Sequence, residues 1–383
     1  MWPKGDAWLP PSGGSKSRRP YSLAALLCLA AVGLLASQLA RSSAQTSQPA
    51  ATFASTVAAL SEPGGYFDTD NLISNERSYL QVLGDLRRAG IRGGAYVGVG
   101  PDQNFSYIAE IRPSIAFIID VRRDNLLLHL LFKALFELSQ TRIEYLAHLV
   151  GRPVPPAIDG WRTAPIERLV AHLERTAAAP PPARAALTRR IDVAIRRTAV
   201  PVSTEDLATI HRFHQRFIDD GLALRFNTTG RPPQYYYPTY KDLLLETGAD
   251  GRPGNYLASE EAFLFVKSLE AHDLLIPVVG DIAGQKAMTA IARTLRSRGE
   301  RLSAFYASNV EQYLYGQGTF SRFIANIRQM PRSPNSVVIR SVFRYTGLAR
   351  PGDGSISQLH TVDDLISGFD DGRFRSYGQL VIR

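Results

Sequence analysis

Cysteine is almost absent from this chain of 383 residues, where Cys28 is the single example. One cysteine excludes an intrachain disulfide framework and a zinc site made of cysteines. No lysine-rich run with interleaved aromatic residues occurs, so the net charge of +9 does not indicate nucleic-acid binding. No internal repeat and no G-x-S-x-G motif stands out. His211 and His214 are three residues apart, but no third ligand follows at a matching spacing, so no metal site is expected.

The N-terminus is predicted to be a targeting segment. Lys16, Arg18 and Arg19 precede a nearly continuous apolar run, and small residues follow it up to Ala44. This order predicts a signal peptide or membrane anchor over residues 1–44, and it fits a buried core helix less well. The positive flank predicts that the rest of the chain is exported, periplasmic or extracellular, or anchored to the membrane by the N-terminal helix if that helix is not cleaved.

The remaining chain alternates between strands and helices. A polar linker over residues 45–56 leads to the first half of an α/β domain over residues 57–122, where a helix is expected over Asn75 to Ala89, before the first strand. Residues 123–235 are predicted to be an all-helical insertion after the second strand, and residues 236–383 the second half of the domain. Tyr377 to Ile382 is expected to be a last edge strand. The fold class is therefore α/β, with a doubly wound, mostly parallel, Rossmann-like sheet.

A glycine turn follows the first strand, predicted over Ala95 to Val99. The turn reads Gly98-x-Gly100-x-Asp102, and a helix is expected to begin near Gln103. The second strand ends on Asp120, roughly 20 residues after Gly98. Glycines let a ligand approach the backbone, and such an acid accepts hydrogen bonds from ribose hydroxyls. The pattern predicts a nucleotide-type cofactor site.

Other strand ends carry polar side chains as well. Asp281 and Asn309 each follow an apolar strand, and Glu311 stands in the next helical turn. Because ligands bind beyond the carboxyl ends of parallel strands, these side chains are expected to meet near Asp120. Simpler interpretations stay open: Asp281 could be a helix N-cap, and Glu311 a first-turn acid favoured by the helix dipole.

The nature of the cofactor depends on the charge at the turn. Gln103 stands where a dinucleotide fingerprint has its third glycine, and Asp102 stands where the usual S-adenosylmethionine turn has one. A pyrophosphate beside Asp102 would meet a like charge. S-adenosylmethionine has no phosphate and carries a sulfonium and an ammonium group. The sequence therefore favours S-adenosylmethionine over NAD.

The chain resembles the class I S-adenosylmethionine-dependent methyltransferase fold, and more closely a family of poorly characterised bacterial and plant proteins with that fold. The resemblance runs from Ser61 to about Phe343. Six segments carry it: Glu62-Pro63-Gly64-Gly65-Tyr66-Phe67-Asp68, Asn75-Glu76-Arg77-Ser78, Val97-Gly98-Val99-Gly100-Pro101-Asp102-Gln103-Asn104, Ile119-Asp120-Val121-Arg122-Arg123-Asp124-Asn125, Pro277-Val278-Val279-Gly280-Asp281 and Phe305-Tyr306-Ala307-Ser308-Asn309-Val310-Glu311.

The resemblance implies a cofactor side and a substrate side. Asp120 would bind the ribose, and Asp281 would hydrogen-bond the adenine amino group. The turn would surround the methionine moiety and contributes the other cofactor-side residues, Gly98, Gly100, Asp102 and Asn104. On the substrate side, Asn309 and Glu311 would stand where the substrate meets the methyl donor. Tyr96 departs from the family pattern, because an acid is common at that position.

Two functions are compatible with these features. One is an S-adenosylmethionine-dependent methyltransferase-like protein of unknown substrate, which has the cofactor as its small-molecule partner. The alternative is an exported, non-catalytic protein of the same fold that binds another ligand or partner in its strand-end cleft. The predicted export favours the alternative, because S-adenosylmethionine is made in the cytosol.

Overall fold

Six strands form a single sheet in the computed structural model, in the order β3-β2-β1-β4-β5-β6. The strands are β1 (Ala95–Val99), β2 (Ile115–Asp120), β3 (Leu275–Val279), β4 (Leu302–Ser308), β5 (Arg332–Val342) and β6 (Ile356–Thr361). Strands β1 to β5 pair in parallel, and β6 pairs with β5 in the antiparallel sense. The predicted α/β class and mostly parallel sheet are confirmed.

The structure describes residues 52–230, 232, 234, 236–343, 349–350 and 353–381. The predicted targeting segment 1–44 and most of the linker lie outside this range. Residues Thr52–Arg383 group as one compact unit. Within the described ranges, no helix combines the length and the apolar character needed to cross a membrane.

The central strands form because their sequences are continuous apolar runs. Every residue of β1 and β3 is buried, and so is every residue of β2 except the final Asp120. Such runs are typical of parallel strands with both faces covered. In the pairing register Gly98 of β1 lies beside Ile118 of β2 and Tyr306 of β4, so the glycine turn emerges at the centre of the sheet.

Helices surround the sheet and fill the interval between β2 and β3. Before β2 the helices are α1 (Phe53–Leu60), α2 (Leu83–Arg88) and α3 (Gln103–Ile111). Between β2 and β3 they are α4 (Arg123–Leu138), α5 (Arg142–Leu149), α6 (Asp159–Arg162), α7 (Ile166–Arg175), α8 (Pro181–Arg197), α9 (Thr204–Asp220), α10 (Tyr240–Leu245) and α11 (Glu260–Ala271). After β3 they are α12 (Ala287–Ser297), α13 (Val310–Gly316), α14 (Phe320–Arg328), α15 (Val362–Asp370) and α16 (Tyr377–Val381).

The predicted helical insertion packs tightly against the rest of the domain. Helix α4 contacts β3 as well as α8 and α9 of the insertion. At the start of α5, the buried Arg142 donates from Nη1 to the carbonyl oxygens of Leu257 and Ala258, at 2.8 and 2.7 Å. The buried guanidinium of Arg142 thus joins the insertion to the second half of the domain.

Two predicted elements differ from the structure. The predicted edge strand at Tyr377 to Ile382 is wrong, because Tyr377–Val381 is the helix α16 and the antiparallel edge is β6. A short apolar run has no periodicity that separates strand from helix. The helix expected over Asn75 to Ala89 is split into a 3-10 turn at Arg77–Leu80 and the short helix α2.

Candidate functional site

A cavity of about 230 Å³ opens at the carboxyl ends of β1 to β4. Each of these strands contributes lining residues just beyond its end: Gly100 and Gln103 after β1, Asp120, Val121 and Arg122 at β2, Gly280, Asp281 and Ile282 after β3, and Ser308, Asn309 and Val310 at β4. Open α/β sheets bind ligands at this place. Of the eight residues predicted from the sequence, the cavity brings together Gly100, Asp120, Asp281 and Asn309.

A second cavity, of about 280 Å³, lies at the opposite end of the sheet. It is lined by Gly94 next to β1 and by Arg301, Leu302 and Ser303 at the start of β4. The amino ends of parallel strands are not the usual ligand position of this architecture. The candidate site is therefore the cavity at the carboxyl ends.

Gly98 and Asn104 shape the turn and do not line the cavity. The Asn104 Nδ2 donates to the carbonyl oxygens of Val99 and Pro101, at 2.9 and 2.8 Å, and its Oδ1 accepts from the Tyr96 hydroxyl at 2.8 Å. A side chain at Gly98 would clash with the Asn104 amide and the Tyr96 ring. Tyr96 and Asn104 therefore stabilise the conformation of the turn.

Asp102 also points away from the cavity. Its Oδ2 accepts hydrogen bonds from the hydroxyls of Tyr240 and Tyr256, at 2.9 and 3.3 Å. Burial raises the pKa of Asp102 to about 6, while the two tyrosine hydrogen bonds lower it. Asp102 therefore does not face the place where a cofactor phosphate would bind, and a preference between cofactors must depend on the residues that line the cavity.

Glu311 lies in a buried ion pair behind the cavity. The Arg340 Nε and Nη2 donate to its carboxylate at 2.5 and 3.1 Å, and each side chain is 1% exposed. Arg340 also donates from Nη1 to His360 Nδ1 at 2.9 Å, and His360 Nε2 contacts Asp364 at 2.7 Å. The predicted substrate-side role of Glu311 does not fit this position, because Arg340 of β5 engages both of its carboxylate oxygens.

Asp120 is held by its neighbour Arg122. The Arg122 backbone N and Nε donate to Asp120 Oδ1 at 2.9 and 3.1 Å, and Nη2 donates to Oδ2 at 2.8 Å. A carboxylate has about four acceptor positions, so Oδ2 retains one for a ligand hydroxyl. The two charges neutralise each other at the cavity wall.

A segment that we call the flap, Tyr66–Asn75, covers the cavity. Arg122 Nη1 donates to the carbonyl oxygens of Thr69 and Asp70 in the flap, at 3.0 and 3.2 Å. The Phe67 ring packs edge-on against Tyr313 of α13, with the ring centroids 5.1 Å apart. The flap is thus joined to β2 by polar contacts and to α13 by an aromatic contact.

Asp281 is the remaining charged residue in the lining. Its Oδ1 accepts from the Ala283 backbone N at 2.8 Å, which closes a local turn. The helix N-cap considered from the sequence is wrong, because α12 begins only at Ala287. Among the described residues, no lysine or arginine pairs with it. Since Asp120 and Arg122 neutralise each other, the cavity retains the negative charge of Asp281.

Sequence reasoning missed two polar groups at the cavity. The Gln103 Oε1 is buried and has no hydrogen-bond partner among the described residues. Glu76 is buried just behind the lining and accepts hydrogen bonds from Tyr306, Ser308 and Ser341. Glu76 is identifiable in the sequence only as a polar residue before the first strand, and no local pattern shows that it meets β4 and β5.

His211 and His214 lie on α9 and form contacts within the helical insertion. His211 Nε2 contacts Asp192 at 2.7 Å, and His214 Nε2 contacts the His148 carbonyl oxygen at 3.0 Å. Within the described part of the chain, no group of three or more candidate ligands could hold a metal ion.

Comparison with known protein families matches residues 72–152 and 236–364 to a family described as a domain of unknown function, DUF7790. The unmatched interval, residues 153–235, lies within the predicted helical insertion, residues 123–235. No curated protein matches the chain. Since the match covers more than half of its residues, the chain belongs to the DUF7790 family.

Proposed function

We propose that this protein is an S-adenosylmethionine-dependent methyltransferase-like protein whose substrate is unknown. The observation that carries the proposal is the chemistry of the cavity lining at the carboxyl ends of β1 to β4. Its lining includes acceptor atoms, and the one unbalanced charge among its described residues is the negative charge of Asp281.

The lining fits a cationic nucleoside better than a phosphate-bearing one. Asp281 and the free acceptor position on Asp120 are both acceptors in the lining. They match the donors of S-adenosylmethionine, which are an adenine amino group, ribose hydroxyls and an ammonium group. Arg122 is the one cationic side chain among the described residues of the lining, and it donates to Asp120 and the flap. These described residues therefore offer no free cation to a pyrophosphate.

The backbone at the turn supports the same interpretation. Gly100 has a φ of +87°, a conformation that side chains other than glycine rarely adopt. A side chain there would also approach the Gln103 amide at the cavity wall. The glycine thus keeps the end of β1 open to a ligand. When bound, the cofactor supplies an electrophilic methyl group, and the cavity would align it with an acceptor.

The cavity must enlarge to hold the whole cofactor. About 300–1,000 Å³ is typical of small-molecule sites, and this cavity is about 230 Å³. We expect the flap to move, which breaks the contacts from Arg122 to Thr69 and Asp70. It also breaks the hydrogen bonds that join Thr69 to Asn227 and Asp68 to Thr229. The proposal therefore includes outward movement of the flap on binding.

The same facts favour a second candidate, a non-catalytic protein of this fold that binds another ligand or partner in the cleft. The Asp120 carboxylate is already paired with Arg122, and the cavity is small. A smaller cationic ligand would fit without movement of the flap. The predicted export of the chain agrees with this candidate.

Calorimetric titration of the full chain with S-adenosylmethionine separates the two candidates. We expect a dissociation constant in the micromolar range and at least about tenfold weaker binding by Asp281→Asn, because one charge-assisted hydrogen bond is lost. Asp219→Asn, on the exposed surface of α9, is the matched control and should bind like the wild type. NAD should bind more weakly than S-adenosylmethionine. Absence of heat at millimolar ligand would overturn the methyltransferase proposal and favour the non-catalytic candidate.

A further inference from the structure

Ser308 occupies an unusual backbone position at the edge of the cavity. It is the last residue of β4, and α13 begins two residues later at Val310. Its φ is +52°, in the left-handed region that residues with a Cβ rarely adopt. Strained residues of this kind cluster at functional sites. A serine on a strained turn from strand to helix, with its side chain at a cavity, is the arrangement of a nucleophile elbow.

A buried carboxylate contacts this serine directly. The Ser308 hydroxyl donates to Glu76 Oε1, while the hydroxyls of Tyr306 and Ser341 donate to Oε2. Among the described residues, no lysine, arginine or histidine pairs with Glu76, which is 1% exposed. Burial raises the pKa of Glu76 above its ordinary 4.5, against the lowering effect of the three hydroxyls. Its carboxylate is therefore more basic than a solvated glutamate.

The cavity next to Ser308 provides room for a substrate. Ser308 lines the cavity together with the polar residues Asn309 and Gln103. The hydroxyl gives its only proton to Glu76, so its lone pairs remain for attack on a bound electrophile. The volume of about 230 Å³ accommodates a small ester.

We propose that Ser308 is a nucleophile with Glu76 as its proton acceptor, and that this cavity transfers acyl groups from small, uncharged or cationic carboxylic esters. The class of ester follows from the cavity size and from the negative charge of Asp281, which disfavours anionic substrates. This activity goes beyond the methyltransferase proposal and needs no cofactor.

The proposed reaction needs only Ser308, Glu76, the ester and water. The Ser308 oxygen forms a bond to the ester carbonyl carbon, its proton passes to Glu76, and the carbonyl oxygen takes the negative charge. Collapse of this intermediate breaks the bond to the alcohol oxygen, which leaves with the proton from Glu76. A water molecule then attacks the acyl-serine and gives one proton to Glu76. As the bond from the acyl carbon to the Ser308 oxygen breaks, Glu76 returns that proton to the serine oxygen, and the carboxylic acid is released.

The experiment treats the full chain with p-nitrophenyl acetate and, separately, with a fluorophosphonate probe, and locates the modified residue by peptide mass spectrometry. We expect modification of Ser308 in the folded protein, at a rate that rises with pH as Glu76 ionises. Glu76→Gln should slow modification by about 100-fold or more, as expected for loss of a general base. Ser297→Ala, at an exposed serine on α12, should change nothing.

Two replacements of the serine separate chemistry from folding. Ser308→Gly suits the positive φ and Ser308→Ala does not, yet both lack the nucleophile, so both should lose the modification at this site while the glycine variant retains its melting temperature. An unmodified Ser308 in the folded protein, or equal rates in wild type and folded Glu76→Gln, would overturn the proposal. Because these reactions contain no S-adenosylmethionine, failure here is distinguishable from failure of the calorimetric titration.

Discussion

Replacement of Arg340 by methionine should destabilise this protein strongly. Arg340 and Glu311 are each 1% exposed, so Arg340→Met leaves a buried carboxylate without its cation. Removal of one partner from a buried pair costs about 3–5 kcal/mol. For a domain larger than 250 residues, about 2 °C per kcal/mol is a reasonable conversion, so the melting temperature should fall by roughly 6–10 °C.

Differential scanning calorimetry of four proteins measures the effect: wild type, Arg340→Met, Glu311→Leu and the double variant. The double variant should lose less stability than the sum of the single variants, with a coupling of about 1–3 kcal/mol, because it leaves no unpaired charge. Arg328→Met is the matched control. Its partner Asp370 and Arg328 itself are each 48% exposed, so that loss should stay within about 1 kcal/mol.

A loss below about 1 kcal/mol in Arg340→Met, or strictly additive single variants, would refute the reasoning about this pair. A Glu311→Leu variant that keeps full stability but loses ligand binding would do so as well. That outcome would restore the substrate-side role that the sequence predicts for Glu311.

Two further predictions concern the glycine turn. Burial raises the pKa of Asp102 from 3.8 to about 6, so folding favours the protonated form, and the free energy of unfolding should fall as the pH rises from about 4 to about 6. Asp102→Asn should remove this loss, which amounts to roughly 3 kcal/mol. Urea unfolding of the wild type and the variant at several pH values measures the difference. Gly98→Ala should lower the free energy of unfolding by about 1–3 kcal/mol, because the added methyl group clashes with Asn104. In Gly160→Ala the methyl group meets open space, so the stability of this control should stay close to that of the wild type in the same assay. Equal losses in the two variants would contradict the argument from close packing at Gly98.

The central part of the fold could be predicted because its signals are local. The first strand is predicted at Ala95 to Val99, and β1 has these bounds. The convergence of Gly100, Asp120, Asp281 and Asn309 follows from parallel strand direction alone, since all four stand just beyond or at strand ends. Apolar runs and glycine turns specify where strands begin and end without knowledge of distant contacts.

Side-chain partners could not be predicted in the same way, because they are distant in sequence. Tyr240 meets Asp102 across 138 positions, and Ser308 meets Glu76 across 232. Neither pairing leaves a periodic pattern in the chain, so Asp102 appears from the sequence to face a ligand although it faces a tyrosine. The role of a polar residue in this fold thus depends on which strand brings its partner, and only the assembled sheet shows that.

The pairing of β1 with β4 has a consequence for how the chain is made. β1 is a central strand, yet its partner on one side starts at Leu302, after the whole insertion. At about 5–20 residues per second, roughly 10–40 s separate the synthesis of the two strands. During that interval the apolar β1 has an unpaired hydrogen-bonding edge that can recruit strands of other chains. The long interval between β1 and β4 therefore lengthens the time during which the growing chain has an exposed strand edge that favours aggregation.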